Sequence, residues 1–446
     1  MRLRLPRVQL VLFIVTVLPL LLAPRGAWAV ICAVDATPAA TLLLPYFEVD
    51  LGNPQGIDTL FSINNASALG VLAHVVLWTD LSVPTLDFNV YLTGYDSRTI
   101  SLREIFSGTA PRTASAGQDP DDTISPRGPL SQDVNFASCA GQLPPPPIPS
   151  SFLNHLRAAH TGKFSAFFSG CSGLAFGDAI ARGYATVDVV NNCTLRFPGD
   201  AGYFASGGSG DATDQNVLWG DYFMVTGIEN SAQGDNLVHI EASATNPETS
   251  TPGQYTFYGR YVNWTAADNR EPLATNFAVR YQNGGAFSGG TELLVWRDSK
   301  VEQNAFKCGT LPAWYPMGAE MVLLFDEEEN LTSFPISAFS PQPPPFDIVP
   351  FPAEAGRIRV KDEESPSGTY FVLPANADFG WTYLSLNTTV GPAGNNPPED
   401  SRSAQAWVSV VSRAEGRYSV GYPAAKLDNA CDATHVEFLP TGPTIE

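Results

Sequence analysis

TLFSIN (Thr59–Asn64) followed by AHVVLWTD (Ala73–Asp80), and TNFAVR (Thr275–Arg280) followed by TELLVWRD (Thr291–Asp298), are the stretches on which the fold turns. In both pairs a T-x-F-x-[IV] segment precedes an aliphatic run that ends W-x-D. The threonine-to-tryptophan spacing is 19 in the first copy and 21 in the second. Alternating apolar and polar positions of this length read as half-buried strands. Two copies predict one β module used twice. The likeness is expected to continue past the tryptophan, with Tyr95-Asp96 leading into SRTISLREIF and Phe325-Asp326 leading into EEENLTSFPISAF.

Outward from these copies the same texture continues. Strands are predicted at Thr41–Val49, Leu72–Thr79, Asp87–Leu92, Tyr184–Val190, Tyr222–Gly227 and Leu237–Ala242. Others are expected at Tyr255–Tyr261, Asn276–Tyr281, Glu320–Phe325, Gly356–Val360, Tyr370–Leu373, Trp381–Leu386, Ala406–Val411 and Arg417–Gly421. Gly, Pro, Asn or Asp bounds each of them. One short helix is predicted over Phe152–His160, capped by Ser151 and ended by Thr161-Gly162. The expected fold class is all-β: two immunoglobulin-like β-sandwich modules with long loops and one short helix. A tryptophan on the strand after T-x-F-x-[IV] fits a buried inter-sheet tryptophan, so Trp78 and Trp296 are the expected structural core residues.

The N-terminus sets the compartment. Arg2, Arg4 and Arg7 precede an apolar run, and Ala27-Trp28-Ala29 closes it, which is the signal-peptide pattern with cleavage after Ala29. The expected layout is a signal peptide at 1–29, a first domain at 30–248 with inserted loops at about 107–165, and a second domain at 249–446. No later stretch is apolar and long enough for a spanning helix, so the mature chain is expected to have no membrane span. Export implies the periplasm, the cell surface or the medium.

The formal net charge is −20, and residues 1–29 remove four of the 25 basic residues and no acid. Such a polyanion gains nothing from counterion release on nucleic acid, so no nucleic-acid partner is expected. The partner class is an unknown protein or glycan. Six cysteines in an exported chain suggest three disulfides among Cys32, Cys139, Cys171, Cys193, Cys308 and Cys431. Connectivity stays open, with Cys308–Cys431 the favoured pair if the halves are separate domains.

TLLLPYFEVD (41–50), TLFSINNAS (59–67), HVVLWTD (74–80) and LDFNVYLTGYDSRTISL (86–102) together resemble a family of secreted bacterial proteins with immunoglobulin-like β modules. ARGYATVD (181–188), VLWGDYFMV (217–225) and GWTYLSLN (380–387) extend the resemblance over most of the mature chain. It is specific in DFNVYLTGYD and diffuse elsewhere. The family carries no known activity, so the resemblance implies compartment and fold and no catalytic residue.

Chemistry-bearing motifs are sparse. The sequence contains no G-x-S-x-G elbow, no H-E-x-x-H and no G-x-x-x-x-G-K-[ST]. No catalytic residue is assigned, and an enzyme is the less expected reading. Dense carboxylates at Asp119, Asp121 and Asp122, and at Asp326, Glu327 and Glu328, make calcium the one cofactor considered, against solvated charged turns. Trp314-Tyr315, between prolines, is the candidate stacking surface for a sugar. The expected role is a secreted, surface-associated structural or binding protein. The alternative is an exported carbohydrate-active enzyme or carbohydrate-binding module.

Overall fold

A computed structural model of the chain describes residues 36–111, 139, 142–143, 145–242, 256–259, 261–262, 267–298, 322–333, 353–360, 371–373, 375, 377–386, 405–414 and 418–427. The described residues are mostly β. The first half runs β1 (Thr41–Asp50), β2 (Ile57–Asn65), β3 (Val71–Thr79), β4 (Pro84–Leu92) and β5 (Ser97–Ser101). Helices α1 (Leu102–Phe106) and α2 (Ser150–His160) follow, then β6 (Ile180–Val190), β7 (Leu218–Trp219), β8 (Asp221–Thr226), β9 (Ser231–Asn236) and β10 (Val238–Ile240). The second half runs β11 (Asn276–Gln282), β12 (Gly290–Arg297), β13 (Val322–Asp326), β14 (Leu331–Ser333) and β15 (Ala355–Val360). It closes with β16 (Phe371–Leu373), β17 (Phe379–Ser385), β18 (Ala406–Ala414), β19 (Tyr418–Pro423) and β20 (Ala425–Lys426).

Four sheets result. The first half holds β10-β1-β6-β3-β4 and β5-β2-β8-β9, with β7 on β2; the second holds β14-β13-β17-β11-β20 and β16-β15-β12-β18-β19. Among the described residues every strand pairing is antiparallel except β15 with β16. One plan underlies both halves. β2 lies between β5 and β8, as β11 lies between β17 and β20; β3 lies between β4 and β6, as β12 lies between β15 and β18. The T-x-F-x-[IV] strand and the tryptophan strand are therefore equivalent elements in the two halves, each pair split between two sheets. The expected continuation differs. Tyr95-Asp96 sits in the β4–β5 turn, whereas Phe325-Asp326 ends β13, which pairs with the edge strand β14 in an extra hairpin. Asp326 closes that hairpin locally by accepting from the amides of Glu328 and Asn330.

Three further expectations are corrected. Residues 256–259 form a turn rather than a strand. The Asp268 carboxylate there accepts the amide of Tyr258 at 2.9 Å and the hydroxyl of Thr256, which holds the backbone out of a ladder. A second helix exists, α1, capped by Ser101, whose side chain accepts the amide of Glu104. Pro149, not Ser151, caps α2; it lacks an N–H to satisfy, and its carbonyl accepts from Leu153 at 2.9 Å. The predicted stop at Gly162 holds. Its φ of +69° lets Gly162 and Lys163 bond back to Ala159 and Ala158.

Burial explains why β12 reads as a continuous apolar run, because both of its faces are covered. Leu293 and Val295 join the cluster between the two sheets of the second half, with Phe277, Leu324, Ile358, Leu384 and Val410. Leu294 and Trp296 point the other way, into a cluster shared with the first half. Trp78 and Trp296 are both buried, but they lie at the junction of the halves, with Tyr184 between them. Tyr184 stacks on Trp78 at 5.7 Å between ring centroids and meets Trp296 edge-on at 6.0 Å. Thus Trp296 is absent from the inter-sheet cluster of its own half, where a buried immunoglobulin-type tryptophan was expected. The backbone joins the halves as well: the amides of Glu354 and Ala355, at the start of β15, donate to the carbonyl of Asp80 at the end of β3, at 2.8 and 3.2 Å.

Candidate functional site

Period-two alternation on β6 places Arg182, Tyr184, Thr186 and Asp188 on one face. The register sets Arg182 opposite Glu48 on β1, Tyr184 opposite Trp78 on β3, and Asp188 between Thr41 and His74. This polar and aromatic face is buried, and two charge networks grow from it.

The first network runs along the junction. Asp178 holds Arg182 through both carboxylate oxygens, at 2.9 and 2.7 Å. Arg182 lies 3.5 Å from Glu48, and Arg357 of β15 donates to the other Glu48 oxygen at 3.0 Å. Arg357 then grips Glu292 of β12 with two bonds, at 2.9 and 2.7 Å. Arg359 and Arg413 also donate to Glu292, at 2.7 and 3.0 Å, and Arg413 reaches Glu229 at 3.0 Å. Charge sign alternates along the whole seam. Burial alone would raise the Glu292 carboxyl, but Arg357, Arg413 and Arg359 hold it down at about 2. Tyr46, donating to Glu48 at 2.8 Å, is pushed up first by burial and then by the Glu48 charge.

The second network centres on Asp188, which is fully buried. It accepts from Thr41, from Tyr203 at 2.8 Å and from Tyr258 at 3.0 Å. Arg270, also fully buried, donates to Thr41 at 2.9 Å, to the carbonyl of Asp268 at 2.7 Å and to the carbonyl of Thr213 at 2.8 Å. Burial pushes Asp268 up to about 6 and raises both tyrosines. These carboxylates are shut off from solvent and bonded by donors of the chain itself. The arrangement suits holding segments together, not offering an acid–base pair to a substrate.

The sequence-predicted residues fall as follows. Asp119, Asp121, Asp122, Trp314, Tyr315, Cys32, Cys308 and Cys431 lie outside the described residues, and the Cys308–Cys431 pairing with them. Asp326, Glu327 and Glu328 form the β13–β14 turn. Bonds from the Asn330 side chain and amide lower Asp326, so its carboxylate is already engaged in the turn. Among the described residues no group of three or more His, Cys, Asp or Glu is placed to hold a metal. Cys139 and Cys193 are bonded to each other, and Cys171 is disulfide-bonded as well. No helix among the described residues is long and apolar enough to cross a membrane.

Sequence reading missed two exposed aromatic features. On the outer face of the β13–β17 pair, Trp381 (40% exposed) stacks on Phe325 at 4.7 Å. Between α2 and β6 a loop carries Phe164 and Phe167 into solvent. The signal for the first was Trp381 alternating with buried Thr382 in a strand; for the second it was the run KFSAFFSG (163–170). No protein-family model, no curated protein and no solved structure matches the chain.

Proposed function

We propose that the chain is an exported, surface-associated structural or binding protein, built after cleavage at Ala29 from two immunoglobulin-like β-sandwich modules, 30–248 and 249–446. The junction carries this reading. Two buried carboxylates lie in the interior and tie segments to one another: Glu292, held well below its ordinary value by three arginines, and Asp188, bonded by Thr41 and two tyrosines. That is the layout of a rigid presenting scaffold rather than of a cleft poised for proton transfer. Two repeats of one strand plan, facing pairs of sheets and a tryptophan on the equivalent strand support the immunoglobulin-like assignment. The direction of Trp296 departs from that pattern.

A carbohydrate-binding module is the second reading, and the Trp381–Phe325 pair favours it. Stacked rings on a sheet face offer apolar surface to a sugar. Cell fractionation with N-terminal sequencing, joined to a thermal-shift screen against glycans, tests both readings. The first expects a processed N-terminus at Val30 outside the cytosol and no glycan shift. An unprocessed cytosolic chain overturns it. A melting temperature raised by one sugar class, and lost in Trp381→Ala, replaces it with the second.

A further inference from the structure

Alternation along β2, β5 and β8 sends Phe61, Ile63, Ile100, Tyr222 and Met224 into the buried cluster of the first half. The residues between them form the outer face of the same sheet, and two of these are exposed aromatics. Trp219 of β7 is 43% exposed and Phe223 of β8 is 48% exposed. Their partners on β2, Asn64 and Leu60, are four positions apart, so β7 and β8 continue one register. The two rings therefore stand about 13 Å apart along it. A Cβ on Gly234, opposite Phe223 on β9, would fall 2.6 Å from Cδ1 and 2.8 Å from Cε1 of the ring. The ring thus lies over the glycine and leaves its other side to solvent.

Polar groups fill the row between the rings. Asp221 has Ser62 and then Thr99 on one side and Asn236 on the other, and Thr99 and Asn236 are exposed. The Asn64 side-chain amide donates to Ser62 Oγ at 2.9 Å, and Ser62 Oγ donates to Asp221 Oδ1 at 2.8 Å. That relay fixes the carboxylate. Among the described residues nothing donates to its second oxygen, which is left as an acceptor between the two rings. No Lys or Arg stands in the register rows of Trp219, Asp221 and Phe223.

We propose that this outer face binds a neutral polysaccharide, with sugar rings stacked on Trp219 and Phe223 and a sugar hydroxyl donating to Asp221 between them. A sugar ring has an apolar C–H face and a hydroxyl edge, and stacking rings beside a fixed acceptor match both. A hydroxyl that donates to a carboxylate forms a charge-assisted bond. Other occupants fit this face less well. A lipid surface would bury the Asp221 charge unpaired. An acidic polymer would meet that charge with no cation in the rows to offset it. A peptide strand needs free ladder groups, which a sheet offers at its edge and not on its face. By the common strand plan, the counterpart sheet of the second half carries Trp381. The proposal rests on the carbohydrate-binding reading and gives it a face on the first half, separate from the Trp381–Phe325 pair.

The purified chain from residue 30 onward is incubated with insoluble cellulose and chitin, and with cross-linked polygalacturonate as the acidic comparison. Wild type is expected to bind a neutral polymer. The Trp219→Ala/Phe223→Ala variant is expected to bind at least about tenfold more weakly at an unchanged melting temperature, because both side chains are exposed. Asp221→Asn, which keeps an acceptor for Ser62, should also bind more weakly. Three results each overturn the proposal: wild type on neither neutral polymer, undiminished binding of either variant, or tighter binding to polygalacturonate than to the neutral polymers. Trp381→Ala, run alongside, separates this face from the reading it rests on. If Trp381→Ala alone loses binding, that reading stands and the proposal falls. If the double variant alone loses binding, the proposal stands and the sugar site of the second half falls. A wild type that binds no polymer but dimerises, with a monomeric double variant, overturns the proposal and assigns the face to a second copy of this chain.

Discussion

At the scale of single residues, Asp80 shows what burial costs and what it secures. Its carbonyl takes two amides from the second half, and its carboxylate accepts the amide of Leu174 at 3.0 Å. The side chain packs over Gly173, where any Cβ would fall 2.2 Å from its oxygen. Burial pushes the carboxyl from 3.8 up to about 7, against the lowering effect of the Leu174 bond and of Arg182. A carboxyl raised in the folded state contributes stability that is fully present below its unfolded value and is lost as pH rises through the folded value. The window here therefore runs from about pH 4 to about pH 7. Asp80→Asn keeps an acceptor for Leu174 and stays neutral throughout. We expect the variant to exceed wild type in stability at pH 8 by roughly 2–4 kcal/mol, and the difference to shrink towards pH 4. Melting curves at several pH values check this; parallel curves for the two proteins would show that Asp80 stays charged at little cost.

At the scale of elements, β6 is the strand on which the first half depends, because β1 and β3 flank it on both sides. Gly183 on β6 lies opposite Phe47 and Thr79. A Cβ there would sit 2.0 Å from the carbonyl of Trp78 and 3.0 Å from the Phe47 ring. The backbone carbonyl cannot step aside without breaking the ladder, so Gly183→Ala is expected to destabilise by about 2–4 kcal/mol, read as a lowered urea midpoint at constant slope. An unchanged midpoint would show that β3 shifts freely. Nearby, His160 shows how an element was legible while its setting was not. The helix and its glycine stop could be read from FLNHLRAAHTG. That His160 would bond Thr85 at 2.7 Å and the carbonyl of Arg182 at 2.8 Å depends on two strands far away in sequence. Burial holds that ring down at about 4. The strands themselves were legible for the same local reason: period-two alternation and turn residues are written within ten positions. The turn at 256–259 misled because Phe257 and Tyr258 look like strand residues. Their rings are buried through contacts with Trp296 and Phe204, which no local pattern encodes.

At the scale of the molecule, the junction is the part that sequence could not show. Glu48 and Arg357 are 309 positions apart, and nothing in either neighbourhood marks the partner. The repeat predicted two modules; the shared cluster of Trp78, Tyr184, Trp296 and Trp407 makes them share a core. Two modules joined by a linker would melt separately. Two that share buried aromatic rings, a backbone bridge at Asp80 and an ion seam should unfold together. We therefore expect one calorimetric transition at neutral pH, with the calorimetric and van't Hoff enthalpies in agreement. The seam should persist into acid. Glu292 is depressed, so its contribution is present above its ordinary value of 4.5 and is lost only as pH falls towards about 2. Glu292→Gln removes the buried anion on which Arg357, Arg359 and Arg413 converge, while Arg357 keeps Glu48 and Arg413 keeps Glu229. The expected loss is that of charge-assisted bonds, about 1.5–3 kcal/mol, with the single transition splitting as the second half loosens first. Two transitions in wild type would mean that the halves are independent and that the seam is too weak to couple them. One transition in both proteins would place the coupling in the aromatic cluster instead, and Trp296→Ala would then be the substitution that divides it.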